Sequence, residues 1–433
     1  MNRIAAAYGR AIEEAGYDAL VIHSGAEAPH NSFDDQHWPL RPTPAFTHWL
    51  PLAEADALLI IRPGARPALI RTVTSDFWEG SGAPPEEAIG HAWPRFAVTE
   101  VGAREQLKDH VPGGRVAFIG DDRALAAACG IADGDVNPAP LTDLLDAVRR
   151  VKSEYEIHCI REANRRAGTG HAALQHAFVD GPRSELELHV LFLAETGQDA
   201  MATPYQNIVA VDGHAATLHH VRYATGRPGP GSHSLLVDAG SSCFGYASDI
   251  TRTIVRNDDR NDDAALFGAL VTGVGELQQE MCGRLRPGVA YESLHDQAHE
   301  LLAALLRELG LGTASAEALV ATGVTRALLP HGLGHSLGIQ VHDVGCRRDQ
   351  PRPENPFLRT TITTEPDMVF TIEPGCYFIE ALLAPLRNGP HADCLDWGTI
   401  DRIARFGGVR IEDDMRVTGD EPENLTRPVW PQS

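Results

Sequence analysis

Three histidines fall close together in His331-Gly332-Leu333-Gly334-His335-Ser336-Leu337-Gly338 and Val341-His342-Asp343, separated by glycines and away from any basic run. Glycine weakens a helix, so these imidazoles are expected on a tight, packed backbone rather than on a helix face. His331 and His335 have the i, i+4 spacing of the zinc helix His-Glu-x-x-His, but Gly332 stands where that motif needs its glutamate. Gly334-His335-Ser336-Leu337-Gly338 also matches the nucleophile elbow of serine hydrolases. That elbow needs a strand-to-helix turn, whereas Ile339-Gln340-Val341-His342 alternates like a strand. Ser336 is kept as a distant alternative nucleophile.

The acids come next. Leu235-Leu236-Val237-Asp238 ends an apolar strand on a carboxylate, and Ser248-Asp249-Ile250-Thr251 offers another after a Gly-flanked turn. Folded as a hairpin near Cys243-Phe244, the two Asp would stand opposite each other and share a face. An Asp in an apolar strand is costly unless a cation or donors satisfy it. A metal is the preferred reading for Asp238, with a hydrogen-bonded structural Asp as the alternative. Glu373 ends the strand Met368-Val369-Phe370-Thr371-Ile372, and Glu412 lies inside Gly408-Val409-Arg410-Ile411-Glu412-Asp413. With His335 these acids make an oxygen-rich set that suits Mn²⁺ or a similar ion rather than a thiolate zinc site. Clustered carboxylates repel one another, so if they converge, two divalent ions are the natural counter-charge. Such a pair would bridge and deprotonate a water, giving a hydroxide nucleophile for an acyl carbon.

The elements that must position these groups form more than one core, because 433 residues exceed a typical single domain. The formal charge of −22 argues against nucleic acid and anionic membranes as partners and leaves a small substrate. Seven cysteines, scattered singly without a C-x-x-C pair, make a disulfide framework improbable and indicate a reducing cytoplasm. No signal peptide is expected at the N-terminus and no membrane span anywhere. Residues 1–150 read as an α/β domain: Ala19-Leu20-Val21-Ile22, Ala57 to Ile61, Ala68-Leu69-Ile70 and Val116 to Ile119 are apolar runs bounded by Gly or Pro. An aromatic loop, Phe33 through Trp49, either packs on that sheet or serves a pocket or subunit contact. A second domain, 151–433, opens on the capping box of Ser153 and Glu156, which Ser184 and Glu187 repeat. Two helices precede strands at about 203–255, and two more, about 263–285 and 291–309, precede strands at about 331–418. This is a weak order-level repeat. The acidic run Asn257 to Asp263 reads as a solvated connector.

At these residues the chain resembles the prolidases (Xaa-Pro dipeptidases) of the creatinase, aminopeptidase P and methionine aminopeptidase superfamily. The resemblance spans essentially the whole chain, including the 33–49 loop, Thr203 to Val209 and the Asp238, His331 to His342, Glu373 and Glu412 blocks. Leu358-Arg359-Thr360-Thr361 favours the bacterial dipeptidase branch. It implies an α+β fold, with a C-terminal pita-bread metallopeptidase domain behind an N-terminal creatinase-like α/β domain. It also implies Asp238, Asp249, His335, Glu373 and Glu412 as ligands of two divalent ions, Mn²⁺ first and Co²⁺ or Zn²⁺ as substitutes. Asp249 and Glu412 would touch both. Glu373 would also handle the proton of the attacking water. His219, His331 and His342 would orient the scissile carbonyl and the oxyanion, Tyr205 would line the substrate site, and Arg359 and Arg410 would grip the dipeptide's carboxylate. A planar guanidinium suits that task.

The residues also leave blander readings. His342 beside Asp343 could be a satisfied core histidine, and Arg410 could merely pair with Glu412. Arg252 reads as structural, and His214, His220, His233 and His391 stay unassigned. Two positions depart from the family pattern: His220 stands where Tyr is common, and Ile362 where a second Arg is usual. A phenol or guanidinium lost near the pocket would alter rate or specificity. The expected protein is a cytoplasmic homodimer releasing proline from dipeptides. Aminopeptidase P is the close alternative. A non-catalytic binding member of the fold is a further one, disfavoured by the intact ligand set.

Overall fold

The computed structural model describes residues 2–33, 35–73, 95–229, 231–256 and 261–430. The chain divides into two compact units, Met1–Arg149 and Arg150–Ser433.

The first unit is built on a five-stranded mixed sheet ordered Ala97–Val101, Ala68–Thr72, Leu58–Ile61, Ala19–His23, Val116–Ile119. The strands Ala19–His23, Leu58–Ile61 and Val116–Ile119 are buried at every position. Leu20, Ile22, Leu59 and Ile61 enter one apolar cluster, while Ala19, Val21, Leu58 and Ile60 enter another. A sheet covered on both faces is the physical reason these segments are continuously apolar rather than alternating. The aromatic loop packs on the sheet in its second half only. Phe46 and Trp49 are buried in the core, whereas Phe33 and Trp38 are exposed.

In the second unit both capping boxes form: Ser153 and Glu156 open the helix Glu154–Asp180, and Ser184 and Glu187 open Glu185–Thr196. The longer helix buries Ile160, Ala163, Ala167, Leu174 and Phe178, the stripe that its helical period predicts. A second helix pair, Asp262–Arg284 and Tyr291–Glu308, follows the first set of strands. Of the acidic connector, 257–260 lie outside the described residues. Asn261 caps the helix that follows it, and Asp263 pairs with Arg402 and Arg405.

The strand Ser234–Asp238 lies between Ile208–Val211 and Thr251–Val255, antiparallel to both. Its register corrects the expected hairpin, because Asp238 faces Thr251, not Asp249. A separate small hairpin, Ser242–Cys243 with Tyr246–Ala247, turns through Phe244 and Gly245 at φ 48° and 83° and takes up the intervening residues. Asp249 therefore stands two residues before Asp238's partner.

The expected strands at 331–368 are absent among the described residues, and Ile339 to His342 forms bends rather than a strand. Leu333 to Leu337 instead runs beside Val369–Ile372, joined to it and to Glu373 by Thr371 N–H to His335 O at 2.9 Å, Leu337 N–H to Val369 O at 3.0 Å and Glu373 N–H to Leu333 O at 2.7 Å. Gly334 is what allows the approach: a Cβ there would stand 2.1 Å from Thr371 O.

Inside the helix Tyr291–Glu308, His295 and His299 are buried with their Nε2 atoms 3.3 Å apart. Burial pushes them down to about 4 and about 2, the Arg326 guanidinium adding to it and Asp296 opposing it at His295. Both are neutral in the folded chain, so as pH drops below the ordinary histidine value only the unfolded chain gains protons and stability falls. By pH 5 His295 alone removes about 2 kcal/mol. Thermal melts from pH 7 to pH 5 should show this loss, and His299→Leu should flatten it. A variant with the slope of the parent chain would contradict the assignment.

Candidate metal centre

A cleft of about 820 Å³ opens in the second unit, lined by Asp238, Asp249, His335, Glu373 and Glu412 together with Tyr205, His219, His331, His342, Arg359 and Arg410. Ligand-bearing atoms of Asp249, His335 and Glu412 all lie within 4.8 Å of one another. Asp238, Asp249, His335 and Glu412 are buried, at 9, 5, 4 and 1 % exposure. His335 Nε2 stands 3.4 Å from Asp249 Oδ2 and 3.7 Å from Glu373 Oε1.

Backbone geometry explains the convergence. Asp238 shares a strand face with Leu236, which belongs to the main core, while Leu235 and Val237 pack the other way, toward the first helix pair. Asp249 follows the small hairpin, and its N–H donates to Asp414 Oδ2 at 3.1 Å. Glu412 lies between the strands Gly408–Arg410 and Asp413–Arg416, bridges Thr251, and accepts that residue's hydroxyl at 2.6 Å. Behind it Asp413 is buried yet held down to about 2: burial works against the charge, but Arg252 and Arg427 outweigh it. Arg252 is thus structural, as its place in the sequence suggests.

Three features of the donor set fit divalent cations. His335 Nδ1–H donates to Ser336 O at 3.1 Å, which leaves the Nε2 lone pair facing carboxylates. Asp238 Oδ1 is buried without a hydrogen-bond partner among the described residues. Burial pushes Asp249, Glu412 and Glu373 upward, and their mutual repulsion adds to it; Glu373 reaches about 7. Lone pair against lone pair in a buried basin is unfavourable unless cations lie between them. The oxygen-dominated set matches hard divalent ions.

Arg410 lines the cleft, and its guanidinium already has partners within the protein. Its guanidinium is buried and donates through Nη2 to Asp238 Oδ2 at 2.7 Å, through Nη1 to the Tyr377 hydroxyl at 2.8 Å and through Nε to Thr251 Oγ1 at 3.2 Å. Tyr377 O–H donates in turn to His331 Nε2 at 2.8 Å, while His331 Nδ1–H donates to Gly332 O at 2.8 Å. Burial, with Arg410 adding to it, pushes His331 down to about 3, so it stands as a neutral acceptor. Tyr377 escaped the sequence reading although it lies four residues after Glu373. A phenol on the short strand that follows a candidate ligand was the available signal.

His342 is exposed on the cleft wall, 4.4 Å ring to ring from His335, and is no core histidine; Asp343 pairs with buried Lys152 at 2.8 Å instead. Arg359 is exposed in the cleft and has no hydrogen-bond or ion-pair partner among the described residues. Ser336 donates its hydroxyl to Asp343 O and has no histidine hydrogen-bonded to it among the described residues, which removes the physical basis for a serine nucleophile. Ile362 is a core side chain. His220 does not line the cleft; it turns to Glu185.

A buried basin of carboxylates with one imidazole, held at the ends of short strands and on the turns between them, defines a metal-dependent hydrolase. The chain belongs to metallopeptidase family M24, whose family model matches residues 158–419. Residues 1–146 match the model of the Xaa-Pro dipeptidase N-terminal domain. The chain is 42 % identical over 425 residues to a Xaa-Pro dipeptidase of Marinobacter nauticus, covering 97 % of this chain and 95 % of the relative. It is 38 % identical over 440 residues to one of Xanthomonas axonopodis pv. citri, covering 99 % and 96 %. Among solved structures it resembles aminopeptidase P from E. coli with the inhibitor Pro-Leu, with TM-score 0.76, 23 % identity and coverage of 100 % and 96 %. Proline aminopeptidase P II from Yersinia pestis is similar, with TM-score 0.74, 24 % identity and coverage of 99 % and 95 %. These likenesses establish the pita-bread fold behind an N-terminal domain. Among the described residues no helix is long and apolar enough to cross a membrane.

Proposed function

We propose that the chain is a dinuclear-metal Xaa-Pro dipeptidase that hydrolyses the bond before a C-terminal proline. The observation that carries the dipeptidase reading over aminopeptidase P is Arg359, an exposed guanidinium facing the cleft with no hydrogen-bond or ion-pair partner among the described residues. A cation so placed suits a substrate that ends in a carboxylate after two residues, because guanidinium and carboxylate pair bidentately. The full-length similarity to Xaa-Pro dipeptidases supports the same choice.

Asp238, Asp249, His335, Glu373 and Glu412 would hold the ions. Manganese is the reading that the hard donor set favours. Bound there, the ions supply charge neutralisation and an acidified water at neutral pH. The chain's own groups do the rest. His219 and His342 face the substrate carbonyl, His331 lines the cleft beside them with both ring nitrogens bonded within the protein, Glu373 takes and returns the proton, Tyr205 closes one side and Arg359 sets the length limit. A proline-preceding bond offers no N–H, so recognition rests on shape and on the carboxylate. The reading extends to a homodimer in a reducing cytoplasm, supported by exposed Phe33 and Trp38 and by seven free cysteines.

The test compares a Xaa-Pro dipeptide with a longer Xaa-Pro-Xaa peptide, using the metal-loaded chain and Arg359→Met. The parent chain should cleave the dipeptide alone. Arg359→Met should raise KM about 50-fold, the loss of one charge-assisted pair. Equal cleavage of both peptides by the parent chain would make it an aminopeptidase P.

A further inference from the structure

Outside the cleft, the helix Glu185–Thr196 begins with a glutamate that is 1 % exposed and hydrogen-bonded to no lysine or arginine among the described residues. Its carboxylate gathers four donors. Oε1 accepts from the Val211 N–H at 2.9 Å and from His214 Nδ1–H at 2.6 Å. Oε2 accepts from the Ala224 N–H at 2.8 Å and from His220 Nε2–H at 2.8 Å. The two imidazoles stack at 4.6 Å with 27° between their planes. Burial works against the charge, but these donors hold Glu185 below the usual carboxylate range.

Two histidines and a glutamate invite a metal reading, and their ligand atoms lie within 4.8 Å of one another. The distances decide against it. Two ligands of one ion, each ~2.1 Å from it in a tetrahedral site, stand about 3.4 Å apart. His335 stands 3.4 and 3.7 Å from its carboxylates, whereas His214 and His220 stand 2.6 and 2.8 Å from Glu185, which are hydrogen-bond lengths. The cluster is a clamp.

What it clamps is the segment from Val211 to Ala224, whose only regular structure beyond Val211 is the short turn Asp212–Ala216. Glu185 binds both ends of this segment and two side chains within it. Leu218, His219 and Val221, on the same segment, line the cleft. His219 has no hydrogen-bond partner of its own among the described residues, so its ring is held only by the backbone that carries it. Gln206 and Tyr223 add one bond each, through Val221 O at 3.3 Å and Asn207 O at 2.6 Å, but neither spans the segment.

We propose that Glu185 is a positioning residue for the reaction, fixing through His214, His220 and the two backbone N–H groups the loop that presents His219 to the substrate. The proposal rests on reading His219 as a substrate-facing group. It also gives His220 a purpose, since its Nε2–H is one of the four donors. Misplacing a reacting or orienting group by an ångström costs about 10²-fold in rate, and residues acting as one unit are strongly non-additive.

The test is a double-mutant cycle on the metal-loaded chain with a Xaa-Pro dipeptide. Glu185→Gln should lower kcat about 10²-fold, with KM little changed and two ions still bound per chain. His219→Ala should cost a similar factor, and the double variant should be no slower than His219→Ala. His220→Ala should show a smaller loss in the same direction, and His220→Gln, whose amide N–H can replace Nε2–H, should recover it. That pair decides the matter if Glu185→Gln does not fold. A crippled His219→Ala to which Glu185→Gln adds its full effect would overturn the positioning role and leave the active-site reading standing. A fully active His219→Ala would remove both. A third bound ion that His220→Ala abolishes would replace the clamp with a metal site.

Discussion

Asp249→Asn should abolish peptidase activity while leaving a folded protein, and the sign of its stability change should depend on metal. Asp249 is 5 % exposed and sits within ligand distance of His335 and Glu412. The amide keeps the shape but removes a negative charge. In the presence of metal, activity should fall by about 10³-fold or more, some 4 kcal/mol of transition-state stabilisation. The variant should retain fewer ions per chain by elemental analysis. After chelation the order reverses. Wild type then holds crowded carboxylates, whose repulsion Asn relieves, so the chelated variant should melt above the chelated parent. Metal addition should raise the parent's melting temperature strongly and the variant's weakly. An Asn variant that keeps two ions and full turnover would remove Asp249 from the site.

Arg410→Met is the second large effect. The arginine ties together Asp238, Tyr377 and Thr251 from three directions, all buried. Removing it leaves a carboxylate oxygen, a phenol and a hydroxyl short of donors. Breaking a buried charge pair from one side costs about 3–5 kcal/mol. Urea melts of the metal-loaded variant should show a loss of that size, and kcat should fall as Asp238 and the Tyr377–His331 contact lose their support. Arg410→Lys should recover little, because an ammonium cannot reproduce the planar fork. The opposite pattern, normal stability and kcat with a raised KM for dipeptides, would restore the carboxylate grip suggested by family resemblance.

Much of the architecture was legible because its signals are local. The capping boxes at Ser153 and Ser184, the buried stripe from Ile160 to Phe178 and the unbroken apolar strands of the first unit follow from spacing alone. Acids at the ends of apolar strands stood out for the same reason, since burying a charge has a cost that needs an explanation. Missing from the sequence were relations between distant residues. Asp238 faces Thr251 because a separate small hairpin intervenes. Arg410 serves Asp238 across 172 positions. Glu185 was hidden twice over, within a capping sequence that already explained its neighbours and far from the loop it holds.

The cleft's groups fall on backbone of two kinds. His335 and Glu373 sit on segments laced together by main-chain bonds between 333–337 and 369–373, whereas Phe357, Leu358 and Arg359 line the same cleft from the excursion between them. Lengthening a loop whose ends are already fastened costs little, about 0.6 kcal/mol per doubling. Evolution and engineering can therefore redraw the excursion, changing which molecules are admitted, without disturbing the anchored residues. In this chain His335 and Glu373 are heritable as a fixed pair, whereas His342 and Arg359 ride on the segment that can be exchanged.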